Sequence, residues 1–81
     1  MVIKILGKGC PNCQRLEMVA REALAESGVE GTIEKVTDMG AIMAYDLIST
    51  PGLVINEKVV SAGRIPAKES VLTWIKQASE E

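Results

Sequence analysis

Apolar and polar positions recur along the chain with two different periods, and each change of period marks an element. Val2 to Leu6 is apolar and β-branched apart from Lys4 and predicts a strand. From Pro11 to Ser27 the apolar residues Leu16, Val19, Ala20, Ala23 and Leu24 fall at the spacing of one helical face, with Arg15, Glu17, Arg21, Glu22 and Glu26 mostly off it. Pro11 suits the first helical position, where its missing N–H is unpaired anyway, and Gly28 suits the stop. Thr32 to Val36 alternates and predicts a second strand. Asp38 is placed to cap a short helix running to about Tyr45, weakened by Gly40. Leu53 to Asn56 and Lys58 to Ala62 predict two strands joined at Asn56-Glu57. Asn tolerates positive φ there and Glu does so less well, so a slightly longer loop is expected. Ala67 to Ala78 predicts the last helix, with Val71, Leu72, Trp74, Ile75 and Ala78 to one side and Pro66 near its start.

The order is therefore βαβαββα. The opening βαβ unit requires a parallel strand pair with a right-handed crossover. The hairpin adds antiparallel strands, so the expected fold class is α/β: a mixed four-stranded sheet flanked by three helices. With 81 residues, of which 47% are hydrophobic and 25% charged, one domain across residues 1–81 is expected. The net charge of −2 and the presence of only Tyr45 and Trp74 as aromatic residues argue against a nucleic-acid partner, which calls for a basic face and stacking rings. No apolar run approaches the ~20 residues of a membrane span. The first residues lack a basic n-region and carry Lys4 within their apolar run, so they do not read as a signal peptide. The chain has no histidine, which excludes Ser-His and Cys-His dyads and His-ligated zinc.

The strongest chemical signal is Cys10-Pro11-Asn12-Cys13, between the first strand and the first helix. A CxxC beside a βαβ pattern reads as a dithiol redox site. A sulfur at a helix N-terminus faces unpaired backbone N–H groups and the positive end of the helix dipole, and both favour the thiolate. Cys10, at the cap, is expected to be exposed and to attack a substrate disulfide. Cys13, one turn further in, is expected to be more buried and to resolve the mixed disulfide. A disulfide closing so short a loop is a poor structural staple. The alternative is a thiolate-based carrier of a metal or metalloid, with a Cys₄ site completed across a dimer, since two adjacent thiolates suit soft metals. The second signal is Thr50-Pro51 before a strand; local sequence alone gives it a trans bond.

Taken together, Gly9-Cys10-Pro11-Asn12-Cys13, Ser49-Thr50-Pro51, Leu53-Val54-Ile55-Asn56, Lys58-Val59-Val60 and Ala62-Gly63-Arg64 resemble the thioredoxin superfamily, and most closely its small redox-active disulfide or glutaredoxin-like members. The resemblance implies that Pro51 is cis and packs beside the cysteine pair. It implies that the Thr50 backbone pairs with a substrate peptide, with Pro11 and Asn12 also at the substrate surface. It further implies a cytoplasmic thiol-disulfide oxidoreductase acting as a monomer on protein disulfides. A thioredoxin-reductase-type reductant or glutathione would recharge it. No bound cofactor is required, because the disulfide carries the two electrons. Pro11-Asn12 differs from the Gly-Pro of thioredoxins and the Pro-Tyr of glutaredoxins, and Lys4 stands where thioredoxins carry a buried acid.

The remaining residues carry plainer expectations. Lys4 is expected to face solvent. Lys8 and Lys58 are candidates to lower the Cys10 pKa, Lys8 being nearer in sequence. Arg64 is expected in a surface ion pair, with an anionic substrate group as the other possibility. Met18, Met39, Met43 and Trp74 are expected in the core. Tyr45 is expected to pack its ring and leave its hydroxyl in water.

Overall fold

The computed structural model describes residues 1–9, 11–45 and 49–80. Its elements are β1 (Val2–Leu6), α1 (Pro11–Ser27), β2 (Thr32–Val36), α2 (Met39–Met43), β3 (Gly52–Ile55), β4 (Lys58–Ala62) and α3 (Lys68–Ser79). The four strands form a sheet of order β2-β1-β3-β4. β1 pairs with β2 in parallel, Val2 opposite Thr32 through Leu6 opposite Val36. β1 pairs with β3 antiparallel, Leu6 opposite Gly52, and β3 pairs with β4 antiparallel, Gly52 opposite Ala62. The C-terminal end of β1, the start of β3 and the end of β4 therefore meet at one end of the sheet.

Strand alternation divides β1 between two cores. Ile3 and Ile5 point to the side of α1 and α3 and pack with Leu16, Ala20, Ala23, Leu53, Ile55, Val71 and Ile75. Leu6 points to the opposite side, where it packs with Val54 and Ile42 of α2, with Val36 and Tyr45 against them. Of the α1 residues that the periodicity singles out, Leu16, Ala20 and Ala23 are buried and Val19 and Leu24 are partly buried beside them, and Cys13 extends the same stripe.

Several expectations are corrected. α2 ends at Met43 rather than near Tyr45, and α3 begins at Lys68, with Ala67 in the extended cap position. The hairpin loop is no longer than Asn56-Glu57, with φ of 49° and 69°. Positive φ at both residues suits the twist of a two-residue hairpin. Met18, Met39 and Met43 are exposed rather than in the core. Met18 lies off the stripe that contains Leu16 and Ala20, and Ile42, not its methionine neighbours, is the buried residue of α2. Trp74 is half-buried, packed on the rim of the α3 core rather than within it.

Asp38 caps α2 as expected: its side chain accepts the Ala41 N–H at 2.9 Å. Asp38→Ala is expected to lower unfolding stability by about 1 kcal/mol, the usual effect of losing an N-cap. Urea denaturation at neutral pH measures it. Equal midpoints for the two proteins would contradict this role of the cap.

Candidate functional site

β1 delivers the chain to Gly7, whose N–H donates to the Val36 carbonyl at 3.0 Å and prolongs the β1–β2 ladder. Four residues later α1 begins at Pro11, with no acidic side chain in its first turn. Cys13 lies in that turn and is 5% exposed. Gly7 is buried beneath it. A Cβ on Gly7 would overlap the Cys13 Sγ, and the same position is 4.0 Å from the Pro51 Cα. The Cys13 sulfur thus fills the space a Gly7 side chain would take, and the Pro51 backbone borders that same space. Pro51 is buried and the Thr50–Pro51 bond is cis.

β4 continues this end of the sheet. The Gly63 N–H donates to the Pro51 carbonyl at 2.8 Å. Gly63 has φ of 74°, and a side chain there would run into Ser49 Oγ. Thr50, Pro11 and Asn12 are exposed around this end. Cys10 lies outside the described residues. Gly7 and Gly63 read in the sequence only as punctuation; the one available signal is their position, Gly7 three residues before Cys10 and Gly63 directly after β4.

A cavity of about 70 Å³ adjoins Cys13, lined among others by Gly7, Gln14, Glu17, Lys35 and Thr37. Glu17, one helical turn below Cys13, accepts from Arg21 Nε at 2.8 Å and pairs with Lys35 at 3.1 Å. The Arg21 hydrogen bond, followed by that from Lys35, holds the Glu17 carboxyl below the usual range.

The opposite face of the sheet carries a second polar cluster. Lys4 does not stand in solvent. Its side chain is 21% exposed and its Nζ lies 2.7 Å from Glu57 Oε1. It also donates to the Tyr45 hydroxyl at 2.8 Å, and that hydroxyl in turn donates to Glu57 Oε2 at 3.1 Å. The Tyr45 hydroxyl is therefore engaged rather than left to water. The hairpin turn reaches Lys4 because Asn56 is tied to the start of β1, its N–H donating to the Val2 carbonyl at 2.9 Å. The Glu57 carboxylate, then the Tyr45 hydroxyl, raise the Lys4 pKa. Lys4, then Tyr45, lower that of Glu57.

These shifts set a pH profile. Glu17 and Glu57 contribute stability above their ordinary value of 4.5 and lose it as pH falls through their lower folded values. Lys4 contributes fully below 10.5 and loses its contribution as pH rises through its higher folded value. The urea midpoint is expected to be flat between about pH 5 and 10 and to fall on either side. Glu57→Gln should make the acid-side fall shallower. An unchanged acid limb in that variant would show that the cluster does not respond to protonation.

The other candidates separate by position. Lys8 is exposed on the loop before α1. Lys58 is opposite Ile55 at the hairpin end of β4, the other end from where Leu6 meets Gly52. Arg64 is exposed and makes no ion pair among the described residues, contrary to expectation. Among the described residues no group of three or more Cys, Asp or Glu side chains is arranged to hold a metal ion. No described helix is long and apolar enough to cross a membrane.

A parallel βαβ unit followed by an antiparallel hairpin and helix, with a cysteine in the first helical turn and a buried cis-proline both near Gly7, defines a thioredoxin-like α/β fold. The thioredoxin domain family matches residues 1–76, and the chain belongs to that family of oxidoreductases. It is 41% identical over 71 residues to a thioredoxin of Methanothermobacter thermautotrophicus, covering 88% of this chain and 92% of that protein. It is 34% identical over 80 residues to a thioredoxin of Methanocaldococcus jannaschii, covering 99% of this chain and 92% of that one.

Proposed function

We propose that the chain, as a single domain over residues 1–81, is a cytoplasmic, monomeric thiol-disulfide oxidoreductase that reduces protein disulfides through Cys10 and Cys13. The observation that carries this reading is the buried Cys13 thiol in the first turn of α1, closed against Gly7 with Pro51 on the same glycine.

Cys10 directly precedes a helix whose first turn holds no acid, so the helix dipole acts on its sulfur without an opposing local carboxylate. Its thiolate attacks one sulfur of the substrate disulfide. A bond forms between Cys10 and that sulfur, and the other substrate sulfur leaves as a thiolate. Cys13 then gives up its proton, to the substrate thiolate already released or to water, and attacks the Cys10 sulfur. The second substrate sulfur leaves as a thiolate, and two electrons have passed to the substrate. A disulfide now joins Cys10 and Cys13, and an external dithiol or a thioredoxin-reductase-type enzyme reduces it. Thr50 and Pro51 hold the substrate by its main chain, and Pro11 and Asn12 contact it from the helix side. No bound cofactor enters the cycle.

The test is dithiothreitol-driven reduction of a disulfide-bonded protein, with and without this chain at micromolar concentration. Reduction well above the dithiothreitol rate is expected. A rate equal to that of dithiothreitol alone would refute the reading.

A further inference from the structure

β4 is the edge of the sheet, paired with β3 on one side and, among the described residues, with no strand on the other. Beside it runs an open groove of about 720 Å³, walled by Val60 and Ser61 of β4, by Arg64 and Pro66 of the following segment, and by Ser70 and Trp74 of α3. A smaller hollow of about 180 Å³ continues past Val60 and Trp74 toward the hairpin turn. The groove begins at the candidate site. Gly63, one residue before Arg64, is bonded to the Pro51 carbonyl at 2.8 Å.

Three features say what it would accept. An edge strand presents unpaired N–H and C=O groups that an extended segment can pair with. Between the pairs Val54–Val59 and Leu53–Ser61, β4 carries the extra residue Val60, and the buried Ser61 Oγ beside it has no hydrogen-bond partner. That hydroxyl is itself closed to solvent, so what an incoming chain meets at this point is the irregular backbone of the bulge. The charge is also one-sided. Arg64 lies at the end of the groove nearest Pro51, and no acidic side chain lines either hollow among the described residues, although the chain as a whole carries −2. The groove at the other edge of the sheet differs: it holds Glu30 together with Arg21, and Arg21 is already paired with Glu17. A bulge also blunts indiscriminate strand pairing, so pairing on β4 is short and the charge contact supplies selectivity.

We propose that the β4 edge docks an extended segment of the disulfide-bearing partner, with an acidic side chain of that segment against Arg64. This rests on the oxidoreductase reading above and adds a substrate preference to it.

The test uses eight-residue peptides, each joined through its one cysteine to a chromogenic thiol, with Glu, Gln or Lys at positions flanking that cysteine. Each kcat/KM is divided by the same protein's value for bis(2-hydroxyethyl) disulfide. At low salt the Glu peptide is expected to exceed the Gln peptide by about fivefold, the upper range for an exposed ion pair. The preference should collapse in ~0.5 M salt, vanish in Arg64→Gln and pass to the Lys peptide in Arg64→Glu. Trp74, the single tryptophan, should change its emission on binding a cysteine-free form of the Glu peptide. Equal treatment of the peptides, a preference that survives Arg64→Gln, or an unmoved Trp74 emission would overturn the proposal while the small disulfide is still reduced. Failure to reduce any of the disulfides would instead bring down the oxidoreductase reading, and the docking proposal with it.

Discussion

Cys10→Ser is expected to bring reduction of a protein disulfide down to the uncatalysed rate, while Cys13→Ser stops the reaction halfway. The two losses differ because the two sulfurs act at different steps. Without Cys10 no bond to the substrate forms. Without Cys13 the first bond forms, but its resolution must wait for an external thiol. An intramolecular thiol acts at a very high effective concentration, so that wait is longer by ~10³-fold or more. Cys13→Ser should therefore accumulate a one-to-one mixed disulfide through Cys10, visible by intact mass under non-reducing conditions. The burial of Cys13 fits this order, since a thiol 5% exposed is reached far more easily by its own neighbour than by a substrate. Full activity in Cys10→Ser, or an adduct that forms equally on Cys13, would reverse the roles.

Gly7→Ala is the second large effect, and it acts through packing. The added methyl would occupy space already filled by the Cys13 Sγ. Either the thiol turns away or the helix shifts on β1, and overpacking of this kind usually costs about 1–3 kcal/mol. A double-mutant cycle isolates the contact. Cys13→Ala removes the sulfur, so Gly7→Ala should be much milder in that background, with a coupling of roughly 1 kcal/mol or more between the two sites. The active protein offers a second readout: in Gly7→Ala the resolving step should slow more than the first attack, and mixed disulfide should build up. Additive stabilities and unchanged partitioning would show that the close approach has no consequence.

Much of the fold was legible because most of its elements carry a full period of pattern. β1, α1, β2 and β4 coincide with the runs predicted for them. α2 is the contrast. It has five residues and buries only Ile42, so its hydrophobic pattern is too short to fix its end, and only the Asp38 cap marks its start. The methionines were misplaced for a related reason. Met18 is apolar and inside a helix, but the helix turns it away from the stripe through Cys13, Leu16 and Ala20.

The packing of the candidate site was not legible in the sequence. The CxxC segment points to a dithiol reaction, its first cysteine lies outside the described residues, and the start of α1 follows from Pro11. The cis form of Pro51 came from the resemblance alone, since local sequence favours trans. Gly7 gave no warning of its contact with Cys13, which depends on how α1 is rotated over β1. Lys4 read as a solvent lysine because its partner Glu57 is 53 positions further along the chain (57 − 4) and is brought to it only by the β1–β3 register and the tight hairpin turn. Contacts of this kind arise from tertiary placement, for which neither residue's neighbours carry a signal.

The central claim is that Cys10 and Cys13 form a reversible dithiol–disulfide couple. The most direct measurement is its reduction potential, by trapping thiols after equilibration of the metal-free protein in dithiol buffers of defined ratio. The account predicts a single two-electron transition between about −200 and −270 mV, the range from glutaredoxins to thioredoxin. A protein that stays a dithiol throughout, or forms its disulfide only under harsh oxidation, would contradict it.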